Sequence, residues 1–279
     1  MSLHDLAAPP LGAPGLARLP VLAAAAFCLA CLAAAVAAPL LAPHDPADLV
    51  ALPWQPPGDG FLLGTDQLGR DMLSRIIWGA RVSIGLSAAI TALAFAVGVP
   101  AGMAAAVLGG WADQAMSRAV DLFMALPPLI LALLALSVTG TSLVTLTLVA
   151  AFLAALRVFR LSRALGLDLA TRDFVDIARL RGEGTLRIAA CEILPNAAGP
   201  LIAEAGLRFV FAFLFVASLS FLGLGVQPPM ADWGGMVREN AGALNYGGIA
   251  PLVPAAAIAL LAISVNLLGD RAAGGRTSR

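Results

Sequence analysis

The chain has 279 residues, of which 60% are hydrophobic and only 12% charged, with 17 basic and 17 acidic side chains giving a formal net charge of zero. A soluble domain carries about a quarter of its residues as charges, so this composition excludes an ordinary soluble fold and points to a bilayer, and the zero balance argues against a nucleic-acid surface. Every basic residue is arginine; without lysine the chain has neither the amine of a phosphate-binding P-loop nor that of a Schiff-base enzyme, and any nucleotide energy must come from a partner.

A spanning helix needs roughly 20 apolar residues. The windows 19–43, 82–112, 122–156, 209–231 and 240–269 contain no Asp, Glu or Arg. The third holds Pro127, Pro128 and the turn-forming Gly140-Thr141, and reads as two helices tightly joined. The expectation is an all-α, polytopic membrane protein with about six transmembrane helices. The first span, preceded by Arg18 and followed by "AVAAP", imitates a signal peptide, yet its apolar stretch exceeds the roughly 7–15 residues of a signal core; an uncleaved anchor is expected. Cys28 and Cys31 form a CxxC within this span, where apolar surroundings oppose thiolate chemistry and favour a packing role. Cys191 stands alone, and His4 and His44 are far apart, so neither a metal site nor a cofactor is expected.

After the anchor, residues 44–81 read as an external segment, an irregular Pro- and Gly-rich loop followed by an interfacial helix, Asp71 to Arg81, with Trp78 at the membrane boundary. The N-terminal unit is thus 1–80, followed by a core over 81–270 and a tail over 271–279. Gly98 and Gly102 form a GxxxG suited to close helix approach. Glu204 and Arg208 are spaced to pair on one helix face; they read either as an intramembrane functional pair or as an interfacial one. A second external segment, 225–248, carries Trp233 and Tyr246 as interface residues.

Arginine counts set the orientation. With the N-terminus in the cytoplasm, Arg18, Arg118, the seven arginines from Arg157 to Arg187, and Arg271, Arg276 and Arg279 lie inside. Arg70, Arg75, Arg81 and Arg238 lie outside, which satisfies the positive-inside rule. Both termini and the arginine-rich island then face the cytoplasm.

Within the island, Thr171 is suited to cap a helix starting at Arg172, with Asp173 in its first turn and Arg179 and Arg181 at its negative end. Phe174, Ile177, Ala178 and Arg181 would form one face, and Gly182 is a natural C′ residue. A second helix from Thr185 would bury Leu186, Ala189, Ala190 and Ile193 before Pro195 interrupts it. Two helices this short are marginal in water, so the span ends, another protein or both must hold them; the alternative is a self-packed loop whose arginines bind membrane lipid.

These residues resemble the cytoplasmic EAA loop of ABC importer permeases, E-A-A, three residues, G, and later I-x-L-P. Asp176, Ile177 and Ala178 occupy the E-A-A positions, Gly182 follows, and Leu194-Pro195 close the pattern; the departures are Glu to Asp, Ala to Ile, and Glu192 for Ile. "LGTDQLGRDMLSRIIWGARVS", "DLFMALPP", "FVDIARLRGEGTLRI", "ILPN", "SFLGLGVQPPMADWGGM" and "NLLGD" follow in the order of the dipeptide, oligopeptide and nickel group, over residues 44–270. The resemblance implies a type I importer permease with its EAA loop at 161–198 and no catalysis of its own. It also implies a second permease subunit in a heterodimer, two cytoplasmic ATP-binding subunits and an external solute-binding protein. The coupling residues it implies are Phe174, Asp176, Ile177, Ala178, Arg179, Gly182, Glu183, Leu194 and Pro195. Di- and oligopeptides are the implied solutes, with nickel, opines or another small solute as the alternative. An ATP-independent channel or secondary carrier is disfavoured by the scarcity of ionisable groups within the spans, and an intramembrane hydrolase by the lack of a histidine base at a shared depth.

Overall fold

The computed structural model describes residues 19–58 and 60–274. His4, Arg18, Arg276 and Arg279, and with them much of the orientation count, lie outside the described residues. Among those described the chain is helical, with two isolated β-bridges, Gly58 to Phe61 and Thr65 to Asp71.

Helix α1 spans Leu19–Val36 and is followed by a single turn, α2, at Ala38–Leu41. After a long connection, α3 runs from Met72 to Leu108, 37 residues or about 55 Å. The Asp71 carboxylate caps it, accepting from the backbone N–H groups of Leu73 at 3.3 Å and Ser74 at 3.0 Å. Asp71 to Arg81 is therefore not a separate interfacial helix but the first turns of a span, because no breaker stands between Asp71 and the apolar run. Pro100 is accommodated inside the helix, as membrane helices permit.

Gly109 and Gly110, both at positive φ, turn the chain into α4 at Gly110–Met124. Pro127-Pro128 then starts α5 at Pro128–Thr139, bent by 85° from α4. The 122–156 window thus does not hold two complete spans. At 12 residues α5 reaches about 18 Å, short of a 30 Å hydrocarbon layer. Among the described residues five helices are long and apolar enough to cross a membrane, and α4 with α5 supplies a sixth crossing if the bent pair is one span. Gly140, at φ 86°, and the Ser142 cap, which accepts from the Thr145 N–H at 3.1 Å, open α6 at Leu143–Leu169. Arg157, Arg160 and Arg163 sit on this helix and not in a loop.

The short α7 occupies Asp173–Leu180 and α8 Thr185–Arg187; a π-helical turn, Ile188–Ile193, leads into α9 at Leu194–Phe221. Pro195 does not interrupt this element, which continues from Thr185 to Phe221. The proline falls in the first turn of α9, just after the π turn, where a missing N–H is tolerated. The chain finishes with α10 at Trp233–Asn240, a 3₁₀ stretch at Ala241–Tyr246 and α11 at Leu252–Gly274.

Small residues decide the central packing. A Cβ on Gly98 would lie 2.8 Å from the Ala155 carbonyl oxygen, and one on Gly102 2.5 Å from that of Phe159. The GxxxG thus brings α3 and α6 together as parallel neighbours by close backbone approach. Cys31 is buried, with Cys28 partly so, among Met72, Ala80, Phe213, Trp233 and Leu261, which is a packing role. The bundle has two ends, a hook end carrying α7 and α8 and a loop end carrying residues 42–71 and α10.

Candidate coupling hook and the clamp at the opposite end

At the hook end, Thr171 does not cap α7. Its hydroxyl donates to the Asp168 carbonyl at 2.8 Å and so finishes α6. Arg172 takes the N-cap position, without a side-chain cap bond. Helix α7 therefore begins one residue later than its sequence suggests. Asp173 and Asp176 lie in its first turn and Arg179 in its last, each at the end of the helix dipole that favours it.

The buried side of α7 is Val175 and Ala178, packed with Met103 of α3, Ile188 and Ile193 of the π turn, and Ala197 and Leu201 of α9. Phe174 is half-buried beside them, while Arg181 is exposed and Ile177 is 55% exposed. The expected face was thus rotated from the real one. Val175 packs against Ile188 and Ile193 of the π turn, and Ile177 faces outward. Leu186, 74% exposed, and Ala190 also lie outside, whereas Ile188 and Ile193 are buried; a π turn holds an extra residue per turn and shifts every following side chain around the axis.

The corner is a Schellman turn. The Gly182 N–H donates to the Arg179 carbonyl at 2.9 Å and the Glu183 N–H to the Ala178 carbonyl at 3.2 Å, with Gly182 at φ 76°, the left-handed region in which glycine alone is free of strain. Glu183 receives Arg181 at 2.8 Å and Arg187 at 3.6 Å. Glu192, the departure from the family pattern, receives Arg181 at 3.1 Å and so ties the corner to the next helix. Leu194 and Pro195 are exposed on the following turn. What remains outside is a ridge of Asp176, Ile177, Arg179 and Leu180, the last 88% exposed, on a helix fixed to the spans from beneath.

The loop end uses charge differently, in a way the sequence did not disclose. Asp66, Arg70 and Arg75 are buried. Arg70 donates from Nε to Asp66 at 2.6 Å and from Nη2 to Glu239 at 2.9 Å; Arg75 donates to the same Glu239 oxygen at 2.7 Å and also to Asp66. Burial pushes the Asp66 carboxyl up. The backbone N–H groups of Arg70 and Leu68 and the guanidinium groups of Arg75 and Arg70 outweigh it and hold the group below the usual carboxylate value. Gln67 N–H donates to the Asn240 side chain at 2.9 Å, so residues 66–75 and α10 are clamped across most of the chain.

Asp232 caps α10, accepting from the Gly235 N–H at 3.2 Å. Burial pushes its carboxyl up to about 6, reinforced by Glu239 and opposed by hydrogen bonds from Gly235, Ser220 and Gly234. Trp233 is not an interface residue: it is 2% exposed, and its Nε1 donates to the Ile76 carbonyl at 2.9 Å. Tyr246 is exposed and lies 5.8 Å from the Trp54 ring. The i,i+4 spacing of Asp66 and Arg70 was a signal of local pairing. Nothing local pointed to Glu239.

Long apolar helices, a broken crossing and a bent hook rooted in the bundle define a polytopic membrane protein. Residues 98–274 match the family described as the binding-protein-dependent transport system inner membrane component, and the chain belongs to that family. It is 38% identical over 253 residues to the di/tripeptide transport system permease protein DppC of Pseudomonas aeruginosa, an overlap of 88% of this chain and 83% of that one. It is 35% identical to the dipeptide transport system permease protein DppC of Haemophilus influenzae, over 84% of this chain and 82% of the relative. With the DppC of Escherichia coli the identity is 38%, over 85% and 81%. The protein is therefore a multi-pass inner-membrane permease subunit, whose family implies ATP-binding and solute-binding partners.

Proposed function

We propose that this chain is one of two membrane subunits, paired as a heterodimer, of an ATP-driven importer of dipeptides and short oligopeptides. The peptide reading rests on relatives named for dipeptide and peptide transport that align over most of both chains. ATP hydrolysis belongs to two separate cytoplasmic subunits, and an external solute-binding protein delivers the solute. The hook then faces the cytoplasm with both termini, residues 1–80 form the anchor and external loop, 81–270 the permease core with its coupling loop at 161–198, and 271–279 the tail.

The observation that carries the coupling role is the exposed ridge on a helix rooted in the spans. Asp176, Ile177, Arg179 and Leu180 would seat in a cleft of the ATP-binding subunit, Ile177 and Leu180 giving apolar contact and Asp176 meeting a basic group. Phe174 and Ala178 fix the helix from the inner side; Gly182 and Glu183 hold the corner; Leu194 and Pro195 begin the helix that carries the movement onward. Val175 and Ala178 bear on Met103, Ile193 and Ala197. A shift of the docked hook as the ATP-binding pair closes would therefore reach α3 and α9 as a rigid-body displacement. No bond is made or broken by this subunit.

The test is Gly182→Asp. A side chain at φ 76° strains the corner, although a Cβ there would meet no neighbour within 4 Å. Uptake of radiolabelled dialanine should be lost while membrane insertion, followed by immunoblot, is retained. Normal uptake by this variant contradicts the coupling role.

A further inference from the structure

Two guanidinium groups share one aromatic ring on a partly exposed face of the bundle. Arg157 stands about 21 Å along α6 from Leu143, and Arg208 about 20 Å along α9 from Phe221. Those two helix ends both lie at the loop end, so the arginines share a depth beyond the middle of a hydrocarbon layer about 30 Å thick. Both lie over the ring of Phe211, with guanidinium carbons 6.0 and 5.4 Å from its centroid, and so stand no more than about 11 Å apart, each within cation–π range of that ring.

Glu204 neutralises Arg208 as its i,i+4 ion-pair partner. Among the described residues no carboxylate lies within ion-pair distance of Arg157. The two arginines border a cavity of about 360 Å³ between α3, α5, α6 and α9, whose other walls include Ile90, Leu129, Phe211 and Ser218. Its walls are apolar apart from the arginines and Ser218, the form of a small-molecule site. An uncompensated guanidinium at this depth is costly unless something anionic visits it. The acyl chains of the surrounding lipid carry no charge to balance it.

We infer that this cavity is a waystation on the translocation path, in which Arg157 takes the carboxylate of the passing solute. The inference rests on the peptide-importer reading and deepens it. Arg157 forms the forked, charge-assisted bond that guanidinium makes to carboxylate. Arg208, already balanced by Glu204, adds field without becoming a second trap. One net positive charge holds an anion long enough to orient it and releases it when the helices shift.

The intact importer in cells supplies the experiment, with uptake of radiolabelled dialanine compared with that of its C-terminal amide. Discrimination by an external binding protein is the same in every strain, so the change in the ratio reports on this chain. Arg157→Gln should lower dialanine uptake about tenfold and amide uptake less than about twofold, as the loss of one charge-assisted bond predicts. Arg157→Lys, which keeps the charge, should stay within about threefold of wild type for dialanine. Equal loss of both solutes in Arg157→Gln, as expected if the arginine only pairs with a carboxylate of the second permease subunit, overturns the inference, and so does unchanged uptake. Wild-type protein that imports no dialanine overturns the peptide reading itself and this inference with it. If immunoblots show Arg157→Gln absent from the membrane, Ser218→Cys in a Cys191→Ser background decides, since it keeps Arg157. Dialanine should then slow maleimide labelling at position 218 while the amide does not, and equal labelling rates overturn the inference.

Discussion

The two ends of this bundle spend the same residue types in opposite ways. At the hook, Asp176 and Arg179 pair at 3.0 Å with more than half of each side chain exposed, in a solvent that screens them and leaves them free to change partners. At the loop end, Asp66, Arg70, Arg75 and Glu239 are sealed into a network with almost no exposure, where each charge is held by the others. The first arrangement suits a surface that docks and releases. The second suits a brace that keeps the connection after α2 and helix α10 in one body.

That contrast predicts a graded set of effects. Arg75→Ala should be the most damaging, because it leaves Asp66 and Glu239 buried without one of their two cations; breaking such a network costs about 3–5 kcal/mol. The measurement is thermal unfolding in detergent, together with the amount of folded protein recovered. Recovery and melting equal to wild type would show that the loop-end cluster is not a brace.

A smaller, pH-dependent effect is expected from Asp232→Asn. The Asp232 carboxyl is raised from the ordinary value of 3.8 to about 6, so the folded state binds more protons than the unfolded one in that window. Its contribution to stability therefore falls as pH rises from about 4 to 6 and stays low above that. Asparagine keeps the capping oxygen and does not titrate. The stability of the variant relative to wild type should accordingly grow through this window and level off above it, as melting curves across the pH range would show. A difference that is flat with pH contradicts the assignment.

The smallest effect belongs to the hook. Arg179→Ala removes only an exposed i,i+3 pair and should change stability by less than about 0.5 kcal/mol, by the same melting assay. A larger loss would mean that the ridge is part of the folded core.

How much of this was legible beforehand depended on whether the signal was local. Run length locates the spans but not their bounds: the 209–231 window opens inside α9, Leu194–Phe221, and the 240–269 window opens ahead of α11, Leu252–Gly274. The α5–α6 boundary was readable at Gly140, and the hook's bend at Gly182 because a helix ending in a left-handed turn selects glycine. The side chains packing beneath the hook pass through a turn that no residue announces: the π segment buries Ile188 and Ile193 and leaves Ala190 outside, while Leu186, ahead of it, is exposed. The start of α7 slipped for a similar reason, since Thr171 had two neighbouring helix ends to serve and closes the earlier one. The brace is invisible in the sequence because Arg75 meets Glu239 across 164 residues, and Trp233, which packs beside it on Ile76, looks from its neighbours like a membrane-interface residue. Burial, not composition, distinguishes a clamp from a set of surface charges.

We propose that the ridge on α7 docks an ATP-binding subunit from the cytoplasmic side. A photo-cross-linking amino acid placed at position 180, where the native Leu180 projects from the bundle, tests it in the assembled transporter in cells. A cross-link to the ATP-binding subunit is expected, with a yield that changes between nucleotide-free and ATP-bound states. Cross-links only to lipid, or to the external solute-binding protein, would contradict it.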